Sequence, residues 1–307
     1  MSVKKDFISI HDWTVDEIQH FFTIAEDMKA NQSSYWTVLR GKTLAMIFEK
    51  QSLRTRVTFQ VGIQQLGGHA VYLAPVDISL GKRESVYDVA KNLERWVDGI
   101  MIRTFGHSIC TDMARYAKIP VINGLTDLLH PCQAMADYFT MLEIKKTLKG
   151  LKVAFAGDGN NVSHSLMFGG AKVGAHVWVA TPKGYEPKKE IVDAARDDAK
   201  LTGATINVTN DLAEAVRNAD VVYTDVWASM GQESEAEVRD RIFRPYQVNS
   251  NVMRLAKPDA IFLHCLPAHR GDEVTDEVID SPQSVVFQEA ENRLHVQKAI
   301  MYELMKG

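Results

Sequence analysis

Short apolar runs rich in β-branched and aromatic residues alternate with longer amphipathic segments along all 307 residues. The runs fall at 43–48, 69–74, 99–103 and 119–123, then at 151–156, 175–180, 204–208, 219–224, 259–263 and 284–287. Helical patterns lie between them, over 12–29, 85–97, 107–118, 132–146, 162–173, 187–202 and 251–256. This alternation argues for βαβ units, that is, for α/β architecture with parallel sheets and helices on both faces. The length suits two domains of about 150 residues each. A charged stretch at 145–150 precedes a new strand at Leu151, so the expected domains are 1–148 and 149–307. Whether the last helix, about 288–305, packs back on the first domain is left open. One irregular stretch, 225–249, is long enough to be functional or mobile.

With 46% apolar and 24% charged residues the chain has the composition of an ordinary globular protein. A net charge of −4 points to neither a nucleic-acid nor a membrane-surface partner. No apolar run approaches the ~20 residues that span a bilayer, and the first residues lack signal- or transit-peptide character. Cys110, Cys132 and Cys265 are odd in number and far apart, which fits neither a disulfide framework nor a zinc pattern. A reducing cytoplasm is the expected location.

In parallel sheets, sites gather at the carboxyl ends of the strands. After 43–48 comes Ser52-Leu53-Arg54-Thr55-Arg56, opening a helical segment. A helix start offers unpaired N–H groups and the positive end of the macrodipole, both suited to an anion. Arg54 and Arg56 add planar forks and Ser52 and Thr55 short donors, which together read as a phosphate site. The bland alternative is a capping serine followed by solvated arginines. The run at 99–103 ends in Arg103, and His130-Pro131-Cys132-Gln133 follows 119–123. Alone, His130 reads as a turn residue, Gln133 as a first-turn residue and Arg103 as a side chain reaching solvent.

In the second half, 151–156 runs into Gly157-Asp158-Gly159-Asn160-Asn161, and 219–224 into Asp225 and Ser229-Met230-Gly231. The run 259–263 leads to His264-Cys265-Leu266-Pro267. The glycine-rich turn invites a dinucleotide, yet Val162 stands where a third glycine belongs, and the next strand ends in Thr181-Pro182 without an acidic ribose ligand. No cofactor is expected. His69, His107 and His164 lie at no ligand spacing, so no metal is expected either.

These clusters, in this order, resemble the aspartate/ornithine carbamoyltransferase family, and its ornithine branch in particular. Ser-x-Arg-Thr-Arg and His-Pro-x-Gln belong to the whole family. Asp225 with Ser229-Met230-Gly231, and His264-Cys265-Leu266-Pro267, narrow it to ornithine. The resemblance covers essentially the whole chain. It implies two doubly wound, Rossmann-like domains with the active site in the cleft between them. The implied reaction is attack of the ornithine side-chain amine on carbamoyl phosphate, giving citrulline and phosphate. Ser52, Leu53 through its backbone N–H, Arg54 and Thr55 would cradle the phosphate. Arg103 and His130, with Thr55, would polarise the carbonyl. Gln133 and the Leu266 carbonyl would hold the carbamoyl NH2, and Arg293, in Glu289-Ala290-Glu291-Asn292-Arg293, would reach the same pocket. Asn161, Asp225, Ser229 and Met230 would bind the α-amino and α-carboxylate groups of ornithine. Cys265, otherwise a common core residue, would touch the carbamoyl group and accept the amine proton, unless the departing phosphate does so. Ser79 stands where family members carry a longer Gln or His that reaches a neighbouring subunit's phosphate site; a serine there implies a weaker or water-mediated contact. A homotrimer is implied.

Two rivals differ in class. A carbamoyltransferase for another amine, such as putrescine, has no use for groups that bind an α-amino acid. A non-catalytic binding protein has no use for a polarised carbonyl, which Arg54, Arg103, His130 and Cys265 together imply. Anabolic and catabolic roles stay open.

Overall fold

A computed structural model of the protein describes residues 4–78, 80–81, 83–228 and 233–306. The chain divides into two compact units, residues 1–136 with 292–307, and residues 137–291. The first unit holds a four-stranded parallel sheet of β1 (Thr43–Phe48), β2 (His69–Leu73), β3 (Gly99–Arg103) and β4 (Val121–Leu125), in the order β2-β1-β3-β4. The second holds five parallel strands, β5 (Lys152–Ala156), β6 (His176–Ala180), β7 (Ile206–Thr209), β8 (Val221–Thr224) and β9 (Ile261–His264), in the order β7-β6-β5-β8-β9. Strands covered on both faces are mostly apolar: β3 and β8 inside their sheets, and β4 and β9 at an end of theirs, are buried at every residue.

Both sheets are doubly wound, and each has a point where strand order reverses. In the first it lies between β1 and β3, in the second between β5 and β8. Chains leaving such neighbours diverge to opposite sides and open a crevice at the carboxyl edge. The segments that leave β1, β3, β5 and β8 are those that begin near Ser52, Arg103, Gly157 and Asp225.

Two expectations are corrected. Residues 284–287 form no strand: Ser284 makes a single bridge to Phe262, and the Val286–Met305 helix begins two residues later. Nor is 225–249 irregular throughout, because the Ala236–Phe243 helix lies inside it. The last helix is divided between the units, Asn292 onward belonging to the first. Among the described residues no helix is long and apolar enough to cross a membrane.

Candidate active site

In the first unit the Arg54–Gln65 helix starts six residues beyond the end of β1. The Ser52 hydroxyl, one residue before the N-cap Leu53, accepts from the Thr55 N–H at 3.2 Å and still has its own hydrogen to donate. Thr55 is buried, and its hydroxyl oxygen accepts from Arg103 Nη1 at 3.4 Å and from Arg293 Nη2 at 3.1 Å. Arg103 ends β3, where the register against β4 slips between Ile102 and Arg103; an irregularity of this kind re-aims a side chain. Arg293 is buried on the Val286–Met305 helix, and its Nη1 donates to Gln133 Oε1. With its amide turned to satisfy both groups, Gln297 accepts from Arg293 Nη2 and Nε at 2.8 and 3.0 Å.

His130 precedes the Pro131–Lys145 helix and is 5% exposed. Its loop is set by Thr126, whose N–H donates to the Leu129 carbonyl and whose hydroxyl contacts His107 Nδ1 at 2.9 Å. Burial, then the charges of Arg293, Arg103, Arg54 and Lys50, hold the imidazole well below its ordinary pKa. The ring is therefore neutral at physiological pH and reports a strongly positive pocket. Thr55, Arg103, His130, Gln133 and Arg293 thus form one connected, cationic group suited to an oxyanion or phosphate. Arg56 is not part of it: the side chain is exposed and its guanidinium stacks over Tyr72, 3.8 Å from the ring centre. A cavity of about 770 Å³ in this unit lies at the opposite edge of the sheet, beside Lys42, Asp98 and Pro120 at the strand starts.

In the second unit Asn160 caps the Asn161–Val173 helix, accepting from the Val162 and Ser163 N–H groups at 3.0 and 3.2 Å. Its Nδ2 donates to Asp225 Oδ2 at 2.9 Å across the reversal point. Asp225 Oδ1 accepts from Cys265 Sγ at 3.0 Å. The turn before the helix needs glycine, since a Cβ on Gly159 would fall 2.2 Å from Pro187 N. Cys265 keeps some surface, but close packing around the sulfur, and then facing Asp225, push its thiol well above the ordinary range. It is a thiol donor here, not a thiolate. Leu266 follows at φ 56, a left-handed conformation costly for a branched residue, and its N–H donates to His264 Nδ1 at 2.9 Å.

Asp225, His264 and Cys265 place ligand-type atoms within 4.8 Å of one another. Both His264 nitrogens are engaged, Nδ1 with the Leu266 N–H and Nε2 with Glu273 Oε1 at 3.1 Å. The ring therefore has no lone pair directed at that cluster. Ser79, Ser229 and Met230 lie outside the described residues.

The domain models of known families match both halves. Aspartate/ornithine carbamoyltransferase, carbamoyl-P binding domain, covers residues 5–143, and the Asp/Orn binding domain of the same enzymes covers 149–304. The chain belongs to the aspartate/ornithine carbamoyltransferase family. The ornithine carbamoyltransferase of Thermococcus kodakarensis is 54% identical over 305 residues, 99% of this chain and 97% of that one. A Pyrococcus furiosus relative named ornithine carbamoyltransferase, anabolic, is 53% identical over 99% of this chain and 97% of its own. The solved ornithine carbamoyltransferase from Pyrococcus furiosus is similar at TM-score 0.96 and 52% identity, covering 100% of this chain and 99% of that one.

Sequence reasoning missed two groups that this carbamoyltransferase places in the two clusters. Lys50 is buried, paired with Asp127 and lying 4.3 Å from the Phe105 ring centre, and it adds to the field on His130. Asn160 touches Asp225; an asparagine directly before a helix was the available signal.

Proposed function

We propose that this chain is an ornithine carbamoyltransferase, transferring the carbamoyl group of carbamoyl phosphate to the side-chain amine of L-ornithine and giving L-citrulline and phosphate. The observation that carries the reading is the Thr55 hydroxyl held between two guanidinium groups, with a neutral imidazole nearby. The amine lone pair attacks the carbamoyl carbon, and negative charge collects on the carbonyl oxygen. Arg103, Thr55 and neutral His130 stabilise that oxygen, each donating where charge develops. The C–O bond to phosphate then breaks with its electron pair, and Ser52, Leu53 N–H and Arg54 receive the leaving anion. Gln133, Arg293 and the Leu266 carbonyl orient the carbamoyl group.

In this reading segment 1–148 takes carbamoyl phosphate and 149–307 takes ornithine, through Asn161, Asp225, Ser229 and Met230. Ornithine's attacking amine has an ordinary pKa near ~10.4 and is almost wholly protonated at neutral pH. Attack uses the small neutral fraction, so one proton leaves to solvent before the nitrogen reaches the carbamoyl carbon, and a second must leave after the new bond forms. A protonated Cys265 is a poor base, so the departing phosphate accepts the amine proton after attack, and Cys265 keeps Asp225 aimed. The anabolic name of the Pyrococcus furiosus relative supports a role in making arginine. Three free cysteines support a reducing cytoplasm.

A homotrimer completes the proposal. Among the described residues β2 pairs only with β1, leaving a sheet edge open. In the same unit Leu53, Val57, Val71 and Val76 are exposed, more apolar surface than an isolated unit needs. Light scattering should give three times the chain mass, and Val76→Glu should shift it toward the monomer. A monomeric wild type would remove the trimer.

The function is tested by a citrulline assay on purified protein with ornithine, putrescine, lysine and N-acetylornithine in parallel. Ornithine should be preferred by ~10²-fold or more, since the α-amino and α-carboxylate contacts are lost with a diamine. Preference for another amine would overturn the reading.

A further inference from the structure

Two carboxyl groups of the second unit are fully buried and take no part in the reaction above. Asp137 is the first residue of that unit, on the Pro131–Lys145 helix, and Glu289 lies near its end, on the Val286–Met305 helix. Both are 0% exposed, and their side chains are hydrogen-bonded to each other. A carboxylate only accepts, so this bond requires a proton on one of the two. Glu289 also accepts from the Tyr223 hydroxyl at 3.2 Å and from the His264 N–H at 2.9 Å. Tyr223 stands two residues before Asp225 on β8, and His264 ends β9 immediately before Cys265. These strands are neighbours, with Thr224 opposite His264. Glu289 therefore ties together the two strand ends that carry the Asp225–Cys265 contact.

We propose that Asp137 and Glu289 share one proton at neutral pH and act as a positioning pair, holding the ends of β8 and β9 so that Asp225 and Cys265 meet the amine substrate in fixed geometry. The amine's identity rests on the function proposed above; the shared proton does not. Two bare carboxylates facing each other in a dry interior would repel strongly, and one proton removes the conflict. Burial, and then the Asp137 charge, raise Glu289 well above the ordinary carboxyl range. The titratable groups around the pair are Tyr138 beside Asp137 on its helix, Tyr223 on β8, Asp225 beyond it, and His264 and Cys265 at the end of β9. Tyr223 and Cys265 are themselves pushed up by burial and stay neutral. The proton belongs to the pair, which titrates in two macroscopic steps.

Infrared spectroscopy of the whole protein at neutral pH reads the proton directly. Wild type should show the C=O stretch of a protonated, buried carboxyl group, and Asp137→Asn and Glu289→Gln should each lose it. Absence of the band in wild type, or its persistence in both variants, overturns the proposal whether or not the protein makes citrulline. The positioning role is read by kinetics. Glu289→Ala, which leaves the His264 N–H without its acceptor, should raise KM for ornithine by about tenfold. KM for carbamoyl phosphate should change by less than about twofold. Glu289→Gln, which keeps an acceptor and the shape, should restore the ornithine KM to within about threefold and flatten the alkaline fall in kcat/KM. Equal damage in the Ala and Gln variants, or equal rises in both KM values, would overturn the positioning role. If Glu289→Ala does not fold, the infrared arm and the Gln and Asn pH profiles decide. A wild type that makes no citrulline removes the proposed function and the positioning role with it, and leaves the infrared result standing.

Discussion

Arg293 reaches Gln133 through Nη1, Thr55 through Nη2, and Gln297 through Nη2 and Nε. A lysine has the charge but not the fork, so Arg293→Lys leaves at least two buried acceptors without a donor. KM for carbamoyl phosphate should rise by about tenfold or more, measured by initial rates at saturating ornithine; an unchanged value would place the anion elsewhere. Cys265→Ser keeps a donor toward Asp225 and replaces a thiol that is already protonated. Citrulline formation should stay within about tenfold of wild type, whereas a true base would cost ~10²-fold or more. A loss of that larger size, with both substrates still binding, would restore Cys265 as proton acceptor. Arg103, His130 and Gln133 were legible because they end or follow a strand, whereas Arg293, inside the last helix, was named only through the family resemblance. Lys50 was not, since Phe48-Glu49-Lys50-Gln51 reads as a chain turning out to solvent. Phe105 and Asp127, which pack against it, come from loops distant in sequence.

At the scale of elements, the Ala236–Phe243 helix is held by Phe243, packed on Tyr185 and Trp227, and by the polar contacts of Arg239. Arg239 donates to Asp158 Oδ2 at 2.8 Å, to the Trp227 carbonyl at 3.0 Å and to Glu235 Oε2 at 3.0 Å. Three segments are thereby fastened to a guanidinium that is 7% exposed. Arg239→Gln leaves Asp158 buried without its charge partner and should cost about 3 kcal/mol in urea denaturation. Glu235 is largely exposed, and Glu235→Gln should cost under about 1 kcal/mol. Equal costs would show that the buried ion pair is not what anchors the helix. The helix was missed in the sequence because only Arg239 and Phe243 of its eight residues are buried, too few to mark a periodic face. The strand expected at 284–287 failed for the converse reason. Four residues of mixed apolar character suit a strand or a first helical turn equally, and a single bridge to Phe262 is all the sheet retains. Strands with a complete ladder, such as β1 and β5, were read to within a residue of their ends because burial on both faces leaves them apolar after their first residues, Thr43 and Lys152.

For the whole molecule, two buried groups tilt stability in opposite directions with pH. His130 is held neutral in the fold, while in the unfolded chain it binds a proton near its ordinary pKa of 6.5. The unfolded state therefore binds more protons as pH falls below 6.5, and stability drops by up to about 1.4 kcal/mol per pH unit from this residue. Glu289 has the opposite sign. Its folded pKa is raised above the ordinary 4.5, so its contribution is present below that value and is lost as pH rises through the folded pKa. Between pH 5 and 6.5 the two slopes oppose each other in wild type, so removing one exposes the other: the denaturation midpoint of His130→Gln should fall with rising pH relative to wild type; identical pH profiles would mean that the ring is not neutral in the fold. The division of the chain also bears on its synthesis. Residues 137–291 are continuous and can close as soon as they leave the ribosome, whereas residues 1–136 must wait for 292–307. The unit translated first is thus completed last, and Arg293 arrives with the segment that completes it. A growing chain can own a finished second unit and every strand of the first, yet has no whole anion pocket until its final helix is made.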